Sequence, residues 1–201
     1  WLGGEASPNK INEAREEVSR FRSGHTDGNP MVLTECPWCR AAIGRYEGQR
    51  PSAINASRWA QLRVVGIASR ANDDCPRLLC PDAACSFGQE DEEDWLPVEV
   101  VDEVIYQSPP SLVIATADKF AMIAYRPAAG ALFGFKQIDG VQVRVSSPPS
   151  IIIQDELHLI SGPLGTMYAL YEGVFEKLCE YRQGKKIIKP KIVASTATIR
   201  A

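Results

Sequence analysis

The chain has 201 residues, of which 45% are hydrophobic and 23% charged, and its formal net charge is −3. These values are typical of a globular protein with a hydrophobic core, and they exclude collagen-like, mucin-like and extensively disordered sequences. The sequence has no run of 18 or more apolar residues, so we expect neither a transmembrane helix nor a membrane partner. It has no signal-peptide pattern and begins with Trp1 instead of Met, which leads us to expect a cytoplasmic protein and a piece of a longer chain.

Charge is unevenly distributed along the chain. Residues 71–94 contain eight acidic residues and one basic residue, whereas residues 176–201 contain seven basic residues and two acidic ones. Such runs are usually solvated surface, but a basic segment can also face phosphates.

The first predicted element is a helix that begins near Ser7-Pro8. Ser7 is a suitable N-cap and Pro8 a suitable first helical residue. Apolar residues then recur at helical spacing until Gly24, a typical C-cap, and they are Ile11, Ala14, Val18 and Phe21.

Residues 31–90 carry five of the six cysteines and predict a small zinc ribbon. Cys36-Pro37-Trp38-Cys39 is a CxxC knuckle, and Cys80 to Cys85 form a second knuckle of C-x4-C spacing. Four thiolates make a closed, structural Zn²⁺ site, although iron suits the same ligands. Cys75 is an alternative ligand, since it is also a C-x4-C partner of Cys80. We expect the nearby Trp38 and Trp59 to be part of the ribbon core.

The segment from 91 to 201 alternates apolar strands with helices. Predicted strands lie at 97–101, 111–115, 151–153 and 191–194, and predicted helices begin at Thr116 and at Gly162-Pro163. Apolar strands that alternate with helices are typical of a parallel α/β sheet. Ligands of such sheets bind at the carboxyl ends of the strands, so the residues that follow each strand are the candidate site.

The strongest of these strand ends is Gln154-Asp155-Glu156-Leu157-His158, which follows three isoleucines. Asp155 can hold Mg²⁺ through water, and Glu156 can orient and deprotonate a water molecule that attacks a phosphate. His158 is placed to sense a bound nucleotide. An acidic loop without chemistry is the alternative.

The other two strand ends supply hydroxyl groups and a lysine. The hydroxyl-rich segment Ser195-Thr196-Ala197-Thr198 can hydrogen-bond the acidic segment and couple hydrolysis to domain movement. At the third strand end, Thr116, Asp118 and Lys119 open a helix where backbone amides suit a nucleic-acid phosphate. Simple helix capping is the alternative.

Together these segments resemble the DExH box, the Ser-Ala-Thr-type motif and the Thr-Pro-x-Arg-like motif of superfamily 2 helicases. With the Cys36-Pro37-Trp38-Cys39 knuckle, residues 154–165 and 115–121 are similar to the helicase component of the bacterial DISARM phage-defence system. The resemblance implies a partial RecA-like parallel sheet with helices on both faces, plus a zinc-ribbon insert. It implies ATP and Mg²⁺ as cofactors, DNA or RNA as substrate, defence-system subunits as partners and a prokaryotic cytoplasm.

The same resemblance divides the chain into an N-terminal helix of the RecA-like domain (1–30), the ribbon insert (31–90) and the C-terminal half of that domain (91–201). A phosphate-binding Gly-x-x-x-x-Gly-Lys-Ser/Thr loop does not occur in the sequence. We therefore expect a fragment of an ATP-dependent helicase that is inactive by itself. The alternative is a zinc-ribbon module that binds nucleic acid or a partner without catalysis.

Overall fold

The computed structural model describes residues 7–46, 48, 52, 55, 63–69, 74–88, 95–116, 119, 125–156 and 162–195, excluding the side chains of 162–168. The chain divides into two compact units, Trp1–Ala115 and Thr116–Ala201. We call them the cysteine unit and the strand unit. The predicted division into 1–30, 31–90 and 91–201 stays a prediction. No helix in the described ranges is both long and apolar enough to cross a bilayer.

In its described residues the cysteine unit has two helices and four short strands. The helices are α1 (Ile11–Ser23) and α2 (Asp102–Gln107). The strands are β1 (Gly44–Arg45), β2 (Val64–Val65), β3 (Ile67–Ser69) and β4 (Pro76–Leu78). β1 pairs with β2 and β3 pairs with β4, both antiparallel.

The predicted N-terminal helix is confirmed, although α1 begins three residues later than expected. The Glu13 carboxylate accepts hydrogen bonds from the amides of Asn9 and Lys10 at 3.0 and 3.1 Å, which satisfies two donors ahead of the first turn. Gly24 ends the helix with φ 79°, a left-handed conformation that glycine adopts without strain. The start at Pro8 was wrong because Lys10 is extended, with φ −124°, and the helix begins only after it.

One hydrophobic core joins α1 to the cysteine-rich segment. Its buried members come from α1, from the strands and from the segment before α2, and include Ala14, Val18, Phe21, Met31, Ile43, Ile67, Leu78, Val100 and Val101. The start of α2 is hydrogen-bonded to the entry of α1, since the Glu103 carboxylate accepts from the Ile11 amide at 3.0 Å. The helix and the cysteine segment therefore fold as one body.

Two predicted strands of this unit do not form. Residues 97–101 run through the core without a ladder, and Leu96 donates its amide to the Leu78 carbonyl at 3.0 Å. Residues 111–114 are irregular, and Leu112 is 71% exposed. An apolar run indicates burial but not strand pairing, and the prolines at 97, 109 and 110 lack the amide that a ladder needs.

Among the residues described in the strand unit are one long helix, a 3₁₀ helix and six strands. The helix is α3 (Gly162–Cys179), and the 3₁₀ helix is Pro127–Phe133. The strands are β5 (Phe135–Ile138), β6 (Val141–Arg144), β7 (Ile151–Gln154), β8 (Tyr181–Gln183), β9 (Lys186–Ile188) and β10 (Lys191–Ala194).

The strands predicted at 151–153 and 191–194 are confirmed, and so is the helix between them. β7 and β10 pair in parallel, with Ile151 opposite Lys191 and Gln154 opposite Ala194. A parallel pair needs a crossover connection, and α3 lies within it. In the described residues this parallel sheet has two strands.

The other pairings of the strand unit are antiparallel hairpins that the sequence analysis did not predict. β5 pairs with β6 around Asp139 (φ 50°) and Gly140 (φ 79°), and β8 pairs with β9 around Gly184. Two consecutive left-handed residues fit the tight turn that matches the twist of paired strands. The fold of the described ranges is a mixture of helices and small sheets.

Candidate metal centre and acidic strand end

Four thiols converge in the cysteine unit, and they are Cys36, Cys39, Cys80 and Cys85. Their sulfur atoms all lie within 4.8 Å of one another, and the Sγ atoms of Cys39 and Cys80 are 3.3 Å apart. Zinc–sulfur bonds of 2.3 Å in a tetrahedron place sulfurs about 3.8 Å apart. Only small shifts are needed, so the four cysteines could bind a metal ion such as zinc.

The first knuckle is a tight turn between the bridged residues Glu35 and Ala42. The Cys36 amide donates to the Ala41 carbonyl at 2.8 Å, and the Arg40 amide donates to the Cys36 carbonyl at 2.9 Å. Arg40 has φ 67°, which turns the chain back after Cys39. This backbone brings the two thiols of the CxxC segment to one side.

The second knuckle is closed by the Cys80 amide, which donates to the Phe87 carbonyl at 2.7 Å. Inside it, Cys85 donates its amide to the Asp82 carbonyl at 3.0 Å. Gly88 ends the turn, and a Cβ at this position would overlap the Asp82 carbonyl and approach the Cys80 carbonyl oxygen to 3.0 Å. Glycine is therefore required where the backbone passes over its own turn.

The protonation of the thiols differs within the cluster. Burial raises the pKa of Cys36, but hydrogen bonds from the amides of Cys39 and Trp38 outweigh burial and lower it to about 7. Burial raises the pKa of Cys80 to about 12. The Phe87 amide lowers the pKa of Cys85, but burial and the thiols of Cys39 and Cys36 leave it raised. A cation would favour all four thiolates.

Cys75, the alternative ligand, lies outside the group of four. It is fully buried, and its sulfur accepts a hydrogen bond from the Arg77 guanidinium. The same guanidinium lies 3.3 Å from the Glu99 carboxylate. Cys75 thus belongs to a buried polar cluster beside the metal-ligand group.

The expectation that Trp38 is part of the ribbon core was wrong, since its side chain is 72% exposed. Its ring lies edge-on to Phe87 of the second knuckle, with the centroids 5.9 Å apart. Trp59 lies outside the described residues.

In the strand unit, Asp155 and Glu156 follow β7 and are exposed. The Glu156 amide donates to Oδ1 of Asp155 at 3.0 Å, and Glu156 has φ 53°. The Ser195 amide donates to the Gln154 carbonyl at 2.8 Å, which brings the start of the hydroxyl-rich segment beside the acidic pair. His158, Thr196, Ala197 and Thr198 lie outside the described residues.

Gln154 belongs to the strand end that the sequence singled out, but no role was predicted for its side chain. It is 5% exposed, and its side-chain amide donates to Oε2 of Glu172 in α3 at 2.7 Å. The signal in the sequence was a glutamine directly after three isoleucines. A polar side chain at the end of an apolar strand indicates a buried hydrogen bond, because a buried polar group needs a partner.

The third predicted strand end is described in part. Thr116 is exposed, and its carbonyl accepts the Lys119 amide at 3.1 Å, as at the start of a helical turn. Asp118 lies outside the described residues, so the phosphate site at these three residues stays a prediction.

The fold and the site define a protein of mixed helix and strand with a four-cysteine cluster that could hold a metal ion. The chain is similar to the DISARM protein DrmA of Bacillus paralicheniformis, with 31% identity over 228 aligned positions. The alignment covers the whole chain and 19% of that relative, so the chain spans about a fifth of its length. No family model matches the chain. The similarity supports the DISARM part of the resemblance.

Proposed function

We propose that this chain is part of an ATP-dependent nucleic-acid helicase or translocase that acts in phage defence. The observation that carries the proposal is the hydrogen bond from Ser195 to Gln154, which joins two parallel strand ends. It brings Ser195, the first residue of the coupling segment, next to the strand end that leads into Asp155 and Glu156. The similarity to a DISARM protein supports the phage-defence context.

In this proposal β7 and β10 are two strands of a RecA-like sheet. Asp155 holds Mg²⁺, which neutralises charge on the phosphates of ATP when both are bound. Glu156 orients the attacking water and accepts its proton, and His158 senses the nucleotide. The exposure of both acids after β7 is compatible with these roles.

The remaining parts of the proposal concern the substrate and the partners. Thr116, Asp118 and Lys119 contact the phosphate backbone of DNA or RNA, and the hydroxyl-rich segment transmits hydrolysis to movement. The protein works in the bacterial cytoplasm with other defence subunits. Zinc at the four cysteines has a structural role, because a closed set of four thiolates leaves no position for substrate.

The test uses the longer protein that contains this segment. ATP hydrolysis is measured with and without single-stranded DNA, and Glu156→Gln is expected to abolish the stimulated rate. Asp139→Asn, an acid-to-amide change in the β5–β6 turn, is the matched control and retains the rate. The 201-residue chain by itself is expected to show no hydrolysis. Hydrolysis that survives Glu156→Gln contradicts the proposal.

A second candidate function is a binding module built on the metal centre. The exposed Trp38 beside the sulfur cluster favours it, since an exposed aromatic ring on a rigid turn can stack on a base or pack on a partner. Salt-dependent binding of single-stranded DNA would be lost with Trp38→Ala or on chelation of the metal, and would survive Asp155→Ala. Binding that is unaffected by Trp38→Ala counts against this candidate.

A further inference from the structure

Gln154 connects three elements at the point where the acidic pair begins. Gln154 is the last residue of β7. Its carbonyl oxygen accepts a hydrogen bond from the amide of Ser195, the residue after β10, at 2.8 Å. Its side chain donates to the Glu172 carboxylate in α3 at 2.7 Å. With 5% of its surface exposed, Gln154 is held on both its backbone and its side chain.

The backbone just beyond Gln154 is strained. Glu156 has φ 53°, a left-handed conformation that a non-glycine residue rarely adopts because its Cβ crowds the following carbonyl oxygen. Such a conformation persists when neighbouring contacts over-determine it. The two described contacts that fix the chain on its N-terminal side are those of Gln154, and the Asp155 carboxylate then accepts the Glu156 amide at 3.0 Å.

Helix α3 presents a second carboxylate one turn further along the same face. Glu172 bonds the end of β7, while Glu176 pairs with Lys189, two residues before β10, at 2.8 Å. Residues four apart lie on one face of a helix, so both acids face the parallel strands. The Glu176–Lys189 pair is more exposed, with 35% and 57% of the two side chains accessible. Of the two contacts, the hydrogen bond between Gln154 and Glu172 is the one that lies next to Asp155 and Glu156.

We propose that Gln154 and Glu172 are a positioning pair that sets the orientation of Asp155 and Glu156 relative to α3 and Ser195. Neither residue touches substrate, and both act through the acidic pair. The inference rests on the proposed function, because the orientation matters for catalysis only if that strand end hydrolyses a nucleotide. A hydrogen bond from an amide to a partly buried carboxylate is charge-assisted and directional, which suits this role.

The test exchanges the two ends of the hydrogen bond in the longer protein. Gln154→Glu alone places two carboxylates within hydrogen-bond distance, where they repel. Glu172→Gln alone leaves two amides that can still form a weaker, neutral bond. The double variant Gln154→Glu/Glu172→Gln restores an amide–carboxylate bond with the donor on α3. Glu176→Gln is the matched control, because it makes the same acid-to-amide change in the neighbouring tether of the same helix face, the ion pair with Lys189.

We expect Gln154→Glu to lower kcat about tenfold to a hundredfold, as misplacement of catalytic groups does, with KM for ATP nearly unchanged. Glu172→Gln is expected to have a smaller effect, and the double variant to recover most of kcat. Glu176→Gln leaves kcat unchanged. A purely structural role would lower the melting temperature and the folded fraction of Gln154→Glu and leave kcat per folded molecule unchanged, so melting temperatures and folded fractions are measured for every variant.

Failure of the positioning pair is distinguishable from failure of the proposed function. If Glu156→Gln abolishes hydrolysis but Gln154→Glu does not, or the double variant is no better than Gln154→Glu, the positioning pair is refuted and the function stands. If Glu156→Gln leaves hydrolysis intact, the proposed function itself is refuted. If Gln154→Glu does not fold, the kcat of Glu172→Ala against that of Glu176→Ala decides, and equal values overturn the inference.

Discussion

The cysteine unit and the strand unit differ in the contacts that stabilise each of them internally. In the first, three of the four clustered cysteines are at least 95% buried and belong to the same core as α1. In the second, Ile151 and Ile153 of β7 are 54% and 67% exposed, and α3 is fixed by polar tethers from Glu172, Glu176 and Arg144. One unit concentrates its stability at a single centre, whereas the other distributes it over separate contacts.

We expect the largest loss of stability when a metal ligand is removed. Structural zinc contributes roughly 10 kcal/mol or more to folding in small domains, so Cys36→Ser should abolish metal binding and unfold the cysteine unit. Elemental analysis and hydrogen exchange of the α1 amides are the measurements. Cys179→Ala, a cysteine of the strand unit, should keep the metal. A Cys36→Ser chain that retains full metal content would contradict the claim that the four cysteines stabilise the cysteine unit by binding a metal.

Gly88→Ala should have the second largest effect, because the new Cβ would overlap the Asp82 carbonyl inside the second knuckle. Forcing an atom into packed backbone costs about 2–3 kcal/mol, and metal affinity should fall with it. Gly28→Ala is the matched control, since no atom lies within 4 Å of its added Cβ. Competition with a chromogenic chelator measures the affinity, and equal affinities for the two variants would argue against a preformed knuckle.

Arg144→Lys should destabilise the strand unit by about 2 kcal/mol and leave the cysteine unit unchanged. The Arg144 guanidinium donates to the carbonyls of Phe133 and Leu178 at 2.8 Å and covers the Phe135 ring at 4.3 Å. Lysine cannot reproduce this fork of donors. Hydrogen exchange resolved by segment is the measurement. Equal loss of protection in α1 would show that the two units unfold together.

The smallest expected effect is a gain in the stability of the strand unit. Gly173 lies within α3 with no atom within 4 Å of an added Cβ, so Gly173→Ala should stabilise the helix by roughly 0.5–1 kcal/mol. Thermal unfolding should show a higher midpoint for the strand unit alone. A lower midpoint would mean that this helix surface is covered in the folded chain.

Much of the molecule was predictable because its signals are local. The period of Ile11, Ala14, Val18 and Phe21 indicated α1, and Gly24 marked its end. Proline and glycine at the start of α3 and the apolar runs of β7 and β10 were sufficient for those elements. The CxxC and C-x4-C spacings likewise indicated two knuckles. Each of these features depends on residues within a few positions of one another.

Other features could not be predicted, because they depend on partners that are distant in sequence. Spacing made Cys75 and Cys85 equivalent partners of Cys80, and only the folded chain brings Cys85 to the cluster and Cys75 to Arg77. The runs at 97–101 and 111–115 looked like strands but lack a ladder in the described residues. The hydrogen bond between Gln154 and Glu172 spans 18 residues.

Local sequence patterns were therefore sufficient for α1, α3, β7 and β10, for the two cysteine knuckles and for the position of the acidic strand end. The tertiary structure decided which thiols meet, which apolar runs pair as strands, and which buried side chain holds the acidic pair. The physical reason is that helix periods, caps and turns are fixed by short-range sterics and hydrogen bonds. Strand pairing and the satisfaction of buried polar groups require two distant segments to meet, and that choice belongs to the whole fold.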